Sequence, residues 1–303
     1  MTEEHHHHHH SAQITSLNTA FVLGIILNSL FVVVEFTIGF INSSVGLISD
    51  AGHNLTDVAS LILAMLAFKI AKINSSSKYT YGYKKSTILV SLFNAVILLV
   101  AICFIIYESI QKFIHPIAVS GNIISITAIV GVVVNGLTAY LFMKDKEKDL
   151  NIKGAYLHMA ADCLVSVGVV VSGFIISFTG WYFIDGIIGL LVSVIIIYST
   201  FNLLNDSIRL SMDGVPKNVD YDNVVKEMKT IEGIIDIHHI HIWAISTTEN
   251  ALTAHIFIND INNMESIKTE IKHHLIHNNI QHSTLEFEIE GCCCKEKDLI
   301  CKD

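Results

Sequence analysis

SVGLISDAGHNLTDVASLILAMLAFKI, residues 44–70, reads as one helix longer than the roughly 20 apolar residues that cross a bilayer. It carries ionisable groups where lipid disfavours them. His53 and Asp57 stand four apart, so they share one helical face, one turn from each other. The same step recurs at His158 and Asp162, inside a second apolar stretch at Lys153–Phe178. Each pair offers an imidazole nitrogen and a carboxylate oxygen. Two such helices facing each other supply four ligands suited to a borderline divalent metal in tetrahedral geometry. An ionisable side chain at membrane depth is costly, which makes it a functional candidate. Within either stretch, the alternative is that each His simply satisfies its own Asp.

Four more stretches qualify as spans: Asn18–Phe40, Ser86–Ile110, Asn122–Met143 and Trp181–Asn205. The chain is 51% hydrophobic and 16% charged, with two prolines, which suits an integral membrane protein. Six spans put both termini on one side. Lys69, Lys72, Lys78, Lys84 and Lys85 crowd one connecting region, and Lys144, Lys146, Lys148 and Lys153 crowd another. The opposite face has Lys112 alone, so the lysine-rich loops and both termini are expected in the cytoplasm. Asn28, Glu35 and Asp185 add polar groups to the spans, and Asp50 lies one turn outward of His53. Each either lines a cation path or hydrogen-bonds a neighbouring helix. Asn135 fits helix–helix hydrogen bonding.

After Asn205 the pattern becomes soluble. Asp220–Ile231 and Met264–His277 read as amphipathic helices, and Ile234–Ile245, Ala251–Ile258 and Thr284–Glu290 alternate with period two. The order helix, strand, strand, helix, strand is a small α+β domain. The expected organisation is therefore an N-terminal arm at 1–17, a six-helix transmembrane domain at 18–205, a cytosolic domain at 206–290 and a Cys-rich tail at 291–303. Most of the net charge of −9 falls in the C-terminal third, an acidic and His-rich composition that favours cations over nucleic acid. The N-terminus lacks the pattern of a cleaved signal peptide. His5–His10 is either an expression tag or a native metal-attracting arm. Cys292, Cys293, Cys294 and Cys301 fit reduced thiols or soft-metal ligands on the cytosolic side, or an incidental tail, better than a disulfide framework.

In the soluble part, alternation sends His239 and His241 to one face of their strand and His238 to the other. His255 lies on the next strand, and Glu286 and Glu288 share a face of the last. His273, His274 and His277 on the second helix read as solvated polar residues.

SDAGHNLTD (49–57), YTYGYKKSTILVSLFN (79–94), AYLHMAADCLVSVG (155–168) and HHIHIW (238–243) together resemble the cation diffusion facilitator family, over roughly Asn18 to Glu290. The resemblance implies a homodimeric metal-cation/proton antiporter. Its expected fold is a mainly α membrane protein: six transmembrane helices plus a C-terminal cytosolic α+β, ferredoxin-like, metallochaperone-like domain. It implies transport-site ligands at His53, Asp57, His158 and Asp162, with zinc as cargo and cadmium or cobalt as further cargoes. It implies a cytosolic zinc site at positions matching His238, His255 and Glu288, with His282 a further candidate. Lys85 and Asp213 fall where similar proteins form a charge interlock. The segment Asn74–Thr80 lacks the Asp and His ligands that some members carry there. Thr87 stands where the family usually has Glu.

Ligand chemistry supplies the expected mechanism. Metal needs neutral His and ionised Asp, so protons and metal compete for the same atoms. An intramembrane zinc hydrolase would need an open coordination position and a base such as the Glu of H-E-x-x-H, a motif this chain lacks, so no enzymatic activity is expected. A membrane-tethered zinc sensor is the remaining alternative. The expected location is the cell membrane, multi-pass, with zinc ions, protons, lipid and a second copy as partners.

Overall fold

The structure, a computed structural model, describes residues 11–41, 45–115 and 121–289. The His5–His10 run and the tail cysteines lie outside the described residues. Six long helices come first: α1 (Ser11–Ile41), α2 (Val45–Ala71), α3 (Ser86–Ile114), α4 (Gly121–Met143), α5 (Leu150–Thr179) and α6 (Ile184–Ser211). Among the described residues, stretches of α1, α2, α3, α5 and α6 are long and apolar enough to cross a membrane, and α4 contributes a shorter apolar stretch at Ile129–Met143. Then follow α7 (Tyr221–Lys229), β1 (Ile234–Ala244), β2 (Asn250–Ile258), a single 3₁₀ turn, α8 (Met264–His277) and β3 (His282–Glu288). The chain divides into two compact units. One holds residues 1–70 and 90–204, and the other holds 71–89 and 205–303.

In the helical unit α5 is the hub. Ile152, Ala155 and Met159 join Phe21, Leu61, Ala64, Ala139 and Phe142, tying α5 to α1, α2 and α4. Two residues on, Ala161 packs with Leu98, Ile102 and Ile196 of α3 and α6. Small residues allow close approach, as membrane helix packing requires. A Cβ on Gly186 would sit 2.5 Å from the Ser109 carbonyl oxygen, so α6 can press on α3 there only as glycine. The outward faces stay apolar, with Leu30, Val33, Phe104, Phe174 and Val194 exposed.

The ends of α5 are set locally. Asp149 caps its start, accepting from the backbone N–H groups of Asn151 (2.7 Å) and Ile152 (3.2 Å). Gly180 ends it in the left-handed region (φ 71°), its N–H donating to the Ile176 carbonyl. The helix therefore begins before the expected Lys153, at Leu150, because the cap lies outside the apolar stretch.

The second unit has a three-stranded sheet in the order β1-β2-β3, with β1 antiparallel and β3 parallel to β2. Ile237, Ile240, Ile242, Leu252, Ala254, Ile256 and Ile258 face α7 and α8, whose Val224, Met228, Ile267, Ile271 and Leu275 complete the core. This is the expected α+β domain. Asn278 and Asn223 donate to the Glu227 carboxylate at 2.7 and 2.9 Å. Those hydrogen bonds join the helix ends and hold Glu227 below the usual carboxylate range.

The α2–α3 connection belongs to this unit as well. Lys84 Nζ lies 2.5 Å from Glu249 Oε2, and Lys85 Nζ lies 2.7 Å from Asp213 Oδ1. The expected Lys85–Asp213 pairing is therefore formed, and the Lys84–Glu249 pair beside it was not anticipated. Thr87, buried, donates to the Lys84 carbonyl and accepts from the Thr247 backbone N–H at 3.1 Å. Helix α6 also runs past the expected end at Asn205. Its last turns carry buried Asp206, paired with Lys217, and buried Ser207 and Leu210, so tertiary burial continues the helix where hydropathy stops.

Candidate metal centre

Asp57 lies twelve residues into α2 and Asp162 twelve residues into α5, so each sits about 18 Å along its helix. Packing of α2 and α5 brings the two together. Asp57, His158 and Asp162 each offer a ligand atom, and these atoms all lie within 4.8 Å of one another. All three residues are buried. His158 Nε2 lies 2.5 Å from Asp57 Oδ1 on the other helix and 3.8 Å from Asp162 Oδ2 on its own. The closer partner is thus the one across the helix pair, against the reading in which each His serves its own Asp. The side chains of His53, Asp50 and Asp185 lie outside the described residues.

A nitrogen and an oxygen that close need a hydrogen between them, since two lone pairs would repel. The His158–Asp57 contact is therefore a buried hydrogen bond, with the imidazole N–H on Nε2 donating to the carboxylate. A divalent cation held by the same two atoms would take the place of that hydrogen.

Sequence reasoning missed two neighbours. Ser60 of α2 and Asn94 of α3 line a small cavity with Asp57, Leu61, Gly154, Ala155 and His158. Ser60 lies one turn beyond Asp57 on the same face, a spacing visible in the sequence. Asn94 comes from a third helix, and nothing local points it there. Of the other polar groups in the spans, Asn28 donates to the Gly24 carbonyl and to Thr138 Oγ1, fastening α1 to α4. Asn54 Nδ2 donates to Glu35 Oε2 at 2.7 Å, both residues buried between α1 and α2. Asn135 is buried in α4.

A second cluster lies on the sheet. His238, His255 and Glu288 also hold ligand atoms within 4.8 Å of one another. His255 Nδ1 lies 2.7 Å from Glu288 Oε1, and its Nε2 lies 3.4 Å from Glu286 Oε2. His238 Nε2 lies 3.5 Å from Glu288 Oε1. His282 is not in this group: its ring stands nearly perpendicular to that of Tyr81, with ring centroids 5.6 Å apart.

The expected alternation along β1 is corrected here. His238 pairs with His255 and His241 with Thr253, three steps against two, so β1 carries an extra residue. His239 absorbs it at φ 57°, unusual for a side chain other than glycine. The slip puts His238 and His241 on the same side of the sheet, the side away from α7 and α8, and keeps both Ile237 and Ile240 in the core. The His239 ring comes within 5.0 Å of His255 and 5.3 Å of His241. His273 and His277 of α8 are exposed, and His274 Nδ1 lies 3.5 Å from Glu227.

Comparison with known proteins agrees with this architecture. The family model of the cation efflux transmembrane domain matches residues 21–210, and that of the cation efflux protein cytoplasmic domain matches 216–289. The cadmium, cobalt and zinc/H(+)-K(+) antiporter of Bacillus subtilis is 37% identical over 266 residues, covering 86% of each chain. The metal cation efflux system protein CzcD of Cupriavidus metallidurans is 33% identical over 89% of this chain and 86% of its own. The zinc transporter ZitB of Escherichia coli is 32% identical over 86% of this chain and 84% of its own. With both domain models matched in order along one multi-pass chain, the protein belongs to the cation diffusion facilitator, or cation efflux, family.

Proposed function

We propose that this protein exports zinc across a membrane in exchange for protons, with cadmium and cobalt as further cargoes. The observation that carries the reading is the buried contact between His158 of α5 and Asp57 of α2, with Asp162 beside them. One imidazole and two carboxylates suit zinc better than magnesium or calcium, and His53, on the turn before Asp57, is the fourth ligand of the tetrahedral set.

Each residue then has a stated task. Asp57 and Asp162 supply negative charge that holds a divalent ion away from water. His158 gives up its proton when metal arrives and takes one up when metal leaves. Because proton and metal compete for the same nitrogen, an inward proton gradient can drive release. Four protein ligands close the coordination shell to substrate water, which favours carriage over hydrolysis, and we read the protein as having no enzymatic role.

We further infer a homodimer in the cell membrane with both termini in the cytoplasm, the side chosen by the lysine-rich loops. His238, His255 and Glu288 would hold a resident zinc in the cytosolic domain and sense the metal level there; as ligands, two imidazoles and a carboxylate fit that ion. The relatives' names include potassium as well as protons, so the test varies both. Purified protein in sealed liposomes is given a pH step, with and without a potassium gradient, and zinc uptake is followed with a trapped dye. Zinc movement that needs the pH step supports antiport. Zinc binding with no flux would leave the sensor reading in its place.

A further inference from the structure

The outward face of α8 carries a pair that neither cluster uses. His273 and His277 are four residues apart, both exposed, with ring centroids 4.6 Å apart. Their Nε2 atoms lie 3.4 Å from each other. That is long for a hydrogen bond between ring nitrogens. It is the separation two nitrogens take on one tetrahedral ion: bonds of about 2.0–2.1 Å at the tetrahedral angle put them about 3.4 Å apart.

We infer that His273 and His277 form a surface site for a borderline divalent cation, zinc in the first place, on the cytosolic domain and separate from the sheet cluster. Helical geometry makes the chelate before metal arrives, because an i, i+4 step stacks the two side chains on one face. His277 is the last residue of α8, where the helix dipole places partial negative charge that favours a cation.

The separation from the sheet cluster follows from the fold. Ile267, Ile271 and Leu275 turn one face of α8 into the core, and His273 and His277 occupy the other. His238 and His255 lie on the side of the sheet that α8 does not cover. His274 is held apart from the pair by Glu227. Two protein ligands leave the remaining coordination positions to water, so this site exchanges metal with the cytosol faster than the buried clusters. Imidazole also sets the selectivity: zinc, copper and nickel are accepted, magnesium and calcium are not. The site does not depend on whether the protein transports.

The experiment is histidine modification by diethylpyrocarbonate on the detergent-solubilised full chain, in zinc or in magnesium. Fragmentation of the peptide that follows Lys272 resolves His273, His274, His277 and His282 individually, so the His5–His10 run does not enter the readout. Zinc, not magnesium, is expected to protect His273 and His277 together, with His282 in the same peptide as the unprotected reference. In His277→Gln, protection of His273 is expected to vanish. Glutamine is a good helix former at an exposed position, and circular dichroism checks the fold. In the double variant His238→Gln, His255→Gln the protection is expected to remain. Modification of His273 that zinc does not change overturns the proposal. So does protection that survives His277→Gln, or protection lost with the sheet histidines.

Discussion

One metal-ligand cluster of this molecule is built on helices and the other on a sheet, and the two reach similar ligand sets by opposite routes. On α5, His158 and Asp162 are neighbours because the helix repeats every 3.6 residues, and only the packing of α5 on α2 remains to be supplied. On the sheet, His238, His255 and Glu288 come from three strands, and one of them is slipped by an extra residue. The helical cluster needs a single tertiary contact. The sheet cluster needs two strand registers and a bulge.

Substitutions that remove or retune one cluster and leave the other alone test this contrast. The largest effect is expected from Asp162→Ala. Proton-driven zinc flux into liposomes should fall by more than about 100-fold, beyond the 10–100-fold typical of residues that only orient a ligand. The sheet cluster should still bind zinc. Retained flux would remove Asp162 from the transport path.

Next is His158→Asp, which replaces the borderline ligand by a hard one. The preference for zinc over manganese should drop by about tenfold, 1.4 kcal/mol, in competition flux. An unchanged preference would show that His158 does not touch the cargo.

On the sheet, His255→Ala should abolish most of the zinc-dependent rise in melting temperature of the solubilised full chain. A saturating metal at 100 times its dissociation constant contributes about 2.7 kcal/mol to a site with its ligands intact. A full shift in the variant would move the stabilising metal elsewhere.

A smaller effect is expected from exchanging Lys84 and Glu249. The pair is more than a third exposed, so a double-mutant cycle should give about 0.2–1 kcal/mol, shrinking with salt. Each single reversal should cost more than the exchange.

The smallest effect concerns Asp236. Burial opposes its ionisation, but the Lys229 side chain, the Ile237 backbone N–H and the charges of Lys229 and His238 together hold its carboxyl below the usual range. A depressed carboxyl stabilises the fold above its ordinary value of about 3.9 and loses that contribution as pH falls through the folded value. Asp236→Asn should therefore flatten the acid limb of a stability–pH curve by a few tenths of a kcal/mol, because half-exposed charges are screened. An unchanged limb would show that Lys229 contributes nothing there.

The contrast also explains what could be read in advance. The apolar stretches and their lysine-rich loops announce the spans, because bilayer thickness fixes length and lipid forbids charge. The i, i+4 steps announce His158 and Asp162. The partnership of Lys85 with Asp213 was anticipated by family likeness, and that of Lys84 with Glu249 was not, since exposed charges offer many partners. Asn94 was missed because it reaches the cluster from α3. Period-two counting separates His238 from His241 because it has no term for a bulge, and only the pairing with β2 reveals His239 as the extra residue that puts the two on one side.

Sequence alone determined which segments bury themselves in lipid, which residues share a helical face and which ligand chemistry they bring, because periodicity and transfer energies act residue by residue. Tertiary structure decided which His meets which Asp, since that depends on how α2 and α5 pack. It also decided the parity of β1, since a strand's register exists only in relation to its neighbour.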